Sequence, residues 1–125
     1  MIRLLLVDNE PSVRSGLRMW FSLQSDIAVV GEAGDGAEAL ELAHQLRPDV
    51  VVMDVSMPGT DGLDSTAQLC ADRPESAVVI LTLHDNGEAR ARARDAGARG
   101  FVGKHETADA LLTAIRAAAG CQRLA

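Results

Sequence analysis

The side chains best suited to chemistry in this sequence stand directly after short apolar runs. Asp54 follows four consecutive apolar residues, three of them valine, at positions 50–53. Three other apolar runs also end in polar residues that could bind a cation or an anion: Asp8, Asn9 and Glu10 after one, Thr82 after another, and Lys104 after the last. If these runs are parallel strands, their carboxyl ends share one edge of a sheet, and the polar side chains meet there.

Such a cluster has the composition needed for phosphoryl transfer. Neighbouring carboxylates repel each other, so they favour a bound cation, and hard oxygen ligands suit Mg2+, which also accepts phosphate oxygens as ligands. Asp54 could then attack a phosphoryl donor as a nucleophile. Lys104 would supply a point charge and Thr82 a hydroxyl donor, since this chemistry requires mainly positioning and charge neutralisation.

Each of these residues also has a purely structural interpretation. Asp54 alone could cap a turn or a helix, although its convergence with Lys104 and Thr82 argues against that. Asp8 and Glu10 could favour the start of the following helix through the helix dipole, and for Glu10 both interpretations fit equally well. Thr82 by itself is ordinary for a strand, so its role depends on its neighbours.

The rest of the pattern supplies the elements that must position this cluster. Five apolar runs, at residues 4–7, 27–30, 50–53, 77–82 and 100–104, alternate with five segments of helical periodicity. Helix starts are indicated by Pro11, by Asp35 with Glu38 as in a capping box, by residues 61–62, by residues 85–88 and by Thr107. The alternation predicts an α/β fold, a flavodoxin-like (βα)5 doubly wound parallel sheet with strand order 2-1-3-4-5. The Asp54 strand is then central, which explains its continuous apolar run.

Composition excludes several classes of function. The chain has 125 residues and a formal net charge of -6, which argues against this segment gripping a nucleic-acid backbone by itself. Aromatic residues make up 2% of the sequence, so base-stacking surfaces are not expected. Cys70 and Cys121 lack the spacing of a metal or redox pair, and no apolar run has membrane-spanning length. We expect a cytoplasmic protein with no membrane partner.

Four motifs, in order along the chain, closely resemble those of bacterial two-component response regulators, in their receiver (CheY-like) domains. They lie at residues 5–11, 53–62, 81–82 and 100–104, and the resemblance runs from about residue 2 to residue 119. Residues 96–101, followed by an Ala-rich helix, are similar to the NarL/LuxR-type subfamily, whose members append a helix-turn-helix DNA-binding domain. The strand order is a property of this family, so the predicted order and the resemblance are not independent.

The resemblance implies specific roles at the sheet edge. Asp54 would be the aspartate that a sensor histidine kinase phosphorylates, and Lys104 would contact the phosphoryl group. Thr82 would be the switch hydroxyl, and Phe101 the aromatic side chain that changes rotamer on activation, although Phe101 could equally be plain core. His84, together with Ser56, would tune the lifetime of the phosphoryl group. The domain would catalyse its own phosphorylation and dephosphorylation, with no turnover of small molecules.

The metal site that the resemblance implies contains one unusual residue. Mg2+ would be held by Asp8, Asn9, Asp54 and the backbone carbonyl of Ser56. Most relatives have an aspartate at the position of Asn9, so a neutral amide replaces a carboxylate here. An amide oxygen can still be a ligand, but fewer formal charges predict weaker Mg2+ binding.

Residues 88–94 form a charged helical stretch with two possible interpretations. It contains three arginines, Arg90, Arg92 and Arg94, and such a stretch is usually a solvated helix face. In the receiver family this region belongs to a common signalling surface, so the same arginines could instead contact a partner.

We therefore expect a receiver domain at residues 1–120, with 121–125 as a tail that could start a linker to an absent DNA-binding domain. DNA would be contacted only through that domain, and activation would produce a homodimer. Three alternatives stay open. A pseudo-receiver would act as a phosphorylation-independent interaction module, a flavin-binding protein would share the fold class, and a hydrolase would use an aspartyl intermediate.

Overall fold

The computed structural model describes residues 1–55, 62–83 and 86–124, and five strands alternate with five helices in these parts of the chain. The strands are β1 (Ile2–Val7), β2 (Ile27–Ala33), β3 (Val50–Asp54), β4 (Ala77–Thr82) and β5 (Gly100–Gly103). The helices are α1 (Pro11–Ser22), α2 (Gly36–Leu46), α3 (Gly62–Asp72), α4 (Gly87–Asp95) and α5 (Ala108–Leu124). The predicted α/β alternation is confirmed.

The strands form one parallel sheet in the order β2-β1-β3-β4-β5, as predicted. The central strand β3 pairs with β1 on one side and with β4 on the other. In this register Asp54 lies opposite Leu81, and Thr82 lies opposite Gly103. The carboxyl ends of four strands are thereby aligned along one edge of the sheet.

Two hydrophobic cores cover the two faces of the sheet. On one face Leu4, Val52 and Val79 pack beneath α1 and α5, which contribute Phe21 and Ile115. The opposite face packs against α2, α3 and α4 through a second set of residues, which includes Leu5, Val51, Ile80, Leu69 and Ala93. Every residue of β3 is buried, as its continuous apolar run predicted, and every residue of β4 is buried too.

Among the described residues, side-chain caps are seen at the start of three helices. Asp35 Oδ1 accepts a hydrogen bond from the Glu38 amide at 2.8 Å, and Thr107 Oγ1 accepts one from the Ala110 amide at 3.2 Å, so both predicted caps are confirmed. Asn86 caps α4 in the same way. The start predicted for α3 at residue 61 lies outside the described residues. At the end of α4, Gly97 has a φ of 102°, a conformation that favours glycine.

Several boundaries differ from the sequence pattern. Strand β2 continues to Ala33, three residues beyond the predicted run, because β1 pairs with it across a register shift between Leu4 and Leu5. Pairing with a neighbouring strand thus outweighs the weak strand propensity of Gly31 and Glu32. Helix α5 runs from Ala108 to Leu124, and the domain boundary predicted at residue 120 stays a prediction. Within the described residues no helix is both long and apolar enough to span a membrane.

Two glycines occupy contrasting environments. At Gly62, the first residue of α3, an added Cβ would lie 2.8 Å from Val55 Cγ1 and 2.9 Å from Val55 Cα. At Gly16, in the middle of α1, no atom lies within 4 Å of the equivalent position. Helix α3 therefore starts in close contact with the residue that follows Asp54, and only glycine allows that approach.

Candidate functional site

Asp54 and Lys104 form an ion pair at the carboxyl edge of the sheet. Asp54 is the last residue of the central strand and is 3% exposed. Lys104 directly follows β5, and its Nζ lies 2.8 Å from Asp54 Oδ2. Fifty positions separate the two residues in sequence, so the sheet topology is what brings these opposite charges together.

Asp8 places a second buried carboxylate beside the first. It follows β1, is 3% exposed, and its Oδ1 accepts a hydrogen bond from the Glu10 amide at 2.9 Å. Its Oδ2 is buried without a hydrogen-bond partner among the described residues, and it lies 3.9 Å from Lys104 Nζ. Burial, reinforced by the nearby negative charge of Asp54, raises the pKa of Asp8 above its usual value.

Thr82 ends β4 on the other side of Asp54. It is 2% exposed, and its backbone carbonyl accepts a hydrogen bond from the Lys104 amide at 2.7 Å. This bond joins the ends of β4 and β5, so Thr82 and Lys104 are held in fixed relation to each other.

Phe101 lies in β5, three residues before Lys104, and is half-buried. The guanidinium carbon of Arg90 lies 4.6 Å from the centre of its ring, which is a cation–π contact. Phe101 also packs against the core on the α4 side of the sheet. The aromatic residue that the resemblance singled out thus connects the site strand to α4.

The other predicted site residues have different positions. Asn9 is exposed and adjoins Asp8 in the loop between β1 and α1. Glu10 occupies the N-cap position of α1, where its side chain makes no capping hydrogen bond. Ser56 and His84 lie outside the described residues, so their predicted roles stay predictions.

Arg14 is a site-supporting residue that the sequence analysis missed. From α1, its guanidinium group donates a hydrogen bond to the backbone carbonyl of Asp8 and pairs with Glu32 of β2 at 3.3 Å. Arg18, one turn later, pairs with Glu32 at 2.9 Å. The spacing of the two arginines on one helix face was a visible signal, but their acceptors depend on the strand order and on the extension of β2.

The chemistry of these donors fits a divalent cation. Asp8 Oδ2 is a buried carboxylate oxygen with no hydrogen-bond donor among the described residues, and the Asp54 carboxylate is a second hard oxygen donor nearby. Among the described residues no group of three His, Cys, Asp or Glu side chains could hold a metal ion. An ion here would need the Asn9 amide, backbone carbonyl oxygens and water as further ligands, which is the kind of ligand set that Mg2+ accepts.

Comparison with known proteins identifies the family. The model of the response regulator receiver domain family matches residues 4–116. The chain belongs to that family. This receiver domain is 42% identical over 118 residues to the transcriptional regulatory protein YxjL of Bacillus subtilis, covering 94% of the chain and 54% of YxjL. It is 40% identical over 118 residues to the transcriptional regulatory protein LiaR of the same organism, covering 94% of the chain and 56% of LiaR.

A solved structure supports the same assignment. The receiver domain is similar to the crystal structure of a LuxR-family two-component response regulator from Aurantimonas sp. SI85-9A1, with 35% identity and a TM-score of 0.92. The similarity covers 97% of this chain and 86% of that one. The resemblance to receiver domains and to the LuxR-type subfamily is thus confirmed. The receiver domain spans about half the length of the curated relatives that it matches.

Proposed function

We propose that this receiver domain accepts a phosphoryl group on Asp54 from a sensor histidine kinase and changes conformation to control an output. The observation that carries the proposal is the buried Asp54 carboxylate, held 2.8 Å from Lys104 Nζ and beside the buried carboxylate of Asp8. A carboxylate that only capped a turn would not require an ammonium group in contact with it and a second buried carboxylate next to it.

The chemistry follows from this arrangement. Asp54 attacks the phosphorus atom of the donor, so a new oxygen–phosphorus bond forms while the bond to the leaving group of the donor breaks. Lys104 and the hydroxyl of Thr82 then contact the oxygens of the transferred group. Mg2+, held by Asp8, Asn9, Asp54 and the backbone carbonyl of Ser56, would neutralise negative charge during transfer.

The conformational response would use the same residues. Phosphate on Asp54 draws Thr82 and Lys104 toward its oxygens, and Phe101 moves into the space that Thr82 vacates. To move an equilibrium from one packing almost entirely to the other, phosphorylation must favour the second packing by about 5 kcal/mol. A few charge-assisted hydrogen bonds, each worth about 1.5–3 kcal/mol, can supply that. His84 and Ser56 would adjust how long the phosphoryl group persists.

We further propose the cellular setting of this switch. The output is transcription through a helix-turn-helix domain outside residues 1–125, joined through residues 121–125 to a receiver domain that ends near residue 120. Activation produces a homodimer, DNA is contacted only by the output domain, and the protein acts in the cytoplasm. The names of YxjL and LiaR, both transcriptional regulatory proteins, support this output.

The test is intact mass spectrometry after incubation with acetyl phosphate and Mg2+. Wild type should gain one phosphoryl group, and Asp54→Ala should gain none because the nucleophile is missing. Asp72→Ala removes an exposed aspartate from the end of α3 and serves as the matched control, which should be phosphorylated like wild type. Phosphorylation of Asp54→Ala to the same extent as wild type would disprove the assignment of the acceptor.

A second candidate function is a pseudo-receiver that binds partners without being phosphorylated. The observation that favours it is Asn9, since a neutral amide replaces one carboxylate of the cation site. Failure of folded wild-type protein to take up phosphate in the same experiment would make this the better interpretation.

The effect of Asn9 can be measured directly. Asn9→Asp should bind Mg2+ about tenfold more tightly than wild type, because a charged ligand replaces a neutral one at the edge of the site. Gln45→Glu makes the same amide-to-carboxylate change on an exposed residue near the end of α2, and it should leave Mg2+ affinity unchanged. Titration of Mg2+ by isothermal calorimetry compares the three proteins. Equal affinities for wild type and Asn9→Asp would contradict the hypothesis that Asn9 reduces the Mg2+ affinity of the site.

A further inference from the structure

The guanidinium group of Arg14 connects α1 to the ends of β1 and β2. Its Nη1 donates a hydrogen bond to the backbone carbonyl of Asp8, directly after β1. Its Nε donates to Glu32 Oε1 in β2 at 3.3 Å. The side chains of Arg14 and Glu32 are 19% and 24% exposed, so this ion pair is better shielded from water than a fully exposed surface pair. Two acceptors on different strands therefore hold the Arg14 side chain over the loop that precedes α1.

Arg14 holds this loop on both sides of Asn9. Its side chain binds the carbonyl of Asp8, and its backbone amide donates a hydrogen bond to the carbonyl of Glu10 at 3.1 Å. Asn9 is the single residue between these two acceptors. A peptide group is planar, so a fixed Asp8 carbonyl also fixes the direction of the Asn9 N–H in the same plane. The backbone at Asn9 is thereby restricted relative to α1.

The same contacts complete the fixation of Asp8. Its amide donates to the Ala33 carbonyl at 3.0 Å, its carbonyl accepts from Arg14, and its Oδ1 accepts from the Glu10 amide at 2.9 Å. The remaining polar atom, Oδ2, has no hydrogen-bond partner among the described residues and lies 3.9 Å from Lys104 Nζ. Three hydrogen bonds thus orient a carboxylate whose fourth polar atom lies at the site, and Arg14 supplies the one that a helix side chain controls.

We propose that Arg14 is a positioning residue for the Mg2+ site, because it fixes the peptide group between Asp8 and Asn9 and so the direction in which both ligands meet the ion. This inference rests on the Mg2+ ligands of the proposed function. A guanidinium group has donors and no acceptor, so Arg14 acts on the ion only through those ligands. Groups that orient metal ligands in this way typically contribute about 10–100-fold to metal affinity.

Charge alone predicts the opposite effect. A positive charge near a cation site repels the cation, so loss of a guanidinium group would by itself strengthen Mg2+ binding. Arg18, one turn further along α1, pairs with Glu32 Oε2 at 2.9 Å, and its side chain is 58% exposed. Within the described part of the chain it makes no hydrogen bond to Asp8. Arg18 is therefore a control with the same charge, helix and acidic partner as Arg14.

The test is isothermal calorimetry of the 125-residue chain titrated with Mg2+. Arg14→Met should bind Mg2+ about tenfold more weakly than wild type, although it removes a positive charge. Arg18→Met removes the same charge and should stay within about threefold of wild type. Arg14→Lys restores the charge but not the planar fork that spans two acceptors, so its affinity should lie between those of Arg14→Met and wild type.

A second measurement needs no metal. In 13C,15N-labelled protein with EDTA, the carbonyl 13C signal of Asp8 should move in Arg14→Met and stay in place in Arg18→Met, because only the first substitution removes a hydrogen bond to that carbonyl. The amide spectrum of each variant verifies its fold. If Arg14→Met does not fold, Arg14→Lys takes its place in both measurements.

Three results would overturn the proposal. Mg2+ affinity of Arg14→Met equal to or above that of wild type would show that positioning by Arg14 is unimportant. Equal weakening by Arg14→Met and Arg18→Met would assign the loss to a property that both arginines share. An unmoved Asp8 carbonyl signal would show that the hydrogen bond does not orient this peptide group. Absence of Mg2+ binding to folded wild type would instead count against the proposed function, and the carbonyl signal would then decide whether Arg14 fixes the loop.

Discussion

Asp8→Asn is expected to make the metal-free protein more stable than wild type and to remove its stabilisation by Mg2+. In wild type, Asp8 Oδ2 is buried without a hydrogen-bond partner among the described residues; the carboxylate of Asp54 and its own burial outweigh the charge of Lys104, whose Nζ is 3.9 Å away. An unsatisfied buried polar group costs about 1–3 kcal/mol, and asparagine removes the charge while keeping an acceptor for the Glu10 amide. Without divalent ions, the free energy of unfolding should rise by about that amount.

The pH dependence of this effect has a definite sign. Because burial raises the pKa of Asp8 in the folded protein above its usual 3.8, the folded state holds this proton more tightly than the unfolded chain. The contribution of the Asp8 carboxyl to the free energy of unfolding is therefore fully present below pH 3.8, and it is lost as the pH rises through the raised pKa. The difference in the free energy of unfolding between Asp8→Asn and wild type should therefore increase across that pH interval and then become constant.

Urea unfolding in EDTA and in excess Mg2+ measures both parts of the prediction. Mg2+ should raise the unfolding midpoint of wild type, whereas Asp8→Asn should bind it at least a hundredfold more weakly, since one of two carboxylate ligands is gone. Asp49→Asn is the control, because Asp49 Oδ2 already accepts a hydrogen bond from the Arg3 amide at 2.9 Å. This control should not be stabilised in EDTA. An Asp8→Asn protein less stable than wild type in EDTA would contradict the argument.

Gly62→Ala is expected to lower the free energy of unfolding by about 3 kcal/mol, the upper end of the usual cost of overpacking. The new Cβ would lie 2.8 Å from Val55 Cγ1 and 2.9 Å from Val55 Cα, and the backbone contact cannot be relieved by a side-chain rotation. Because Val55 directly follows Asp54, the displacement would also reach the site and slow phosphoryl uptake.

Gly16→Ala is the matched control for this substitution. Nothing lies within 4 Å of its added Cβ, and alanine in a helix interior is favoured over glycine by about 0.5–1 kcal/mol. Urea denaturation should therefore move the two variants in opposite directions relative to wild type. Equal stability of the two alanine variants would show that the contact with Val55 is easily relaxed.

The sequence was sufficient for the parts of the structure that follow from local patterning. The continuous apolar run of β3 indicated a strand covered on both faces, and the alternation of strands and helices indicated a parallel sheet. From those two inferences the meeting of Asp54 and Lys104 follows, since both residues end strands at the same edge of one sheet. Their separation of 50 positions is no obstacle once the topology is known.

Features that depend on tertiary geometry could not be predicted in this way. The length of β2 is set by its pairing with β1, and the hydrogen bond from Arg14 to the Asp8 carbonyl depends on how α1 crosses the sheet. Asp8 Oδ2 is buried without a hydrogen-bond partner among the described residues because of how the chain packs in three dimensions, and no residue pattern predicts this. Of the three arginines of α4, Arg90 and Arg94 line a cleft beside β5 whereas Arg92 does not, and this too depends on how α4 packs against the sheet.

Helix α4 contributes one fully buried side chain to the core, the methyl group of Ala93, whereas α5 buries Leu111, Leu112, Ile115, Ala118 and Ala119. The free energy needed to open α4 locally is therefore a small fraction of that needed to unfold the domain. Its amide hydrogens should exchange with solvent earlier than those of α5 under native conditions. A helix attached this weakly can change position at little energetic cost while the sheet and the other helices stay folded.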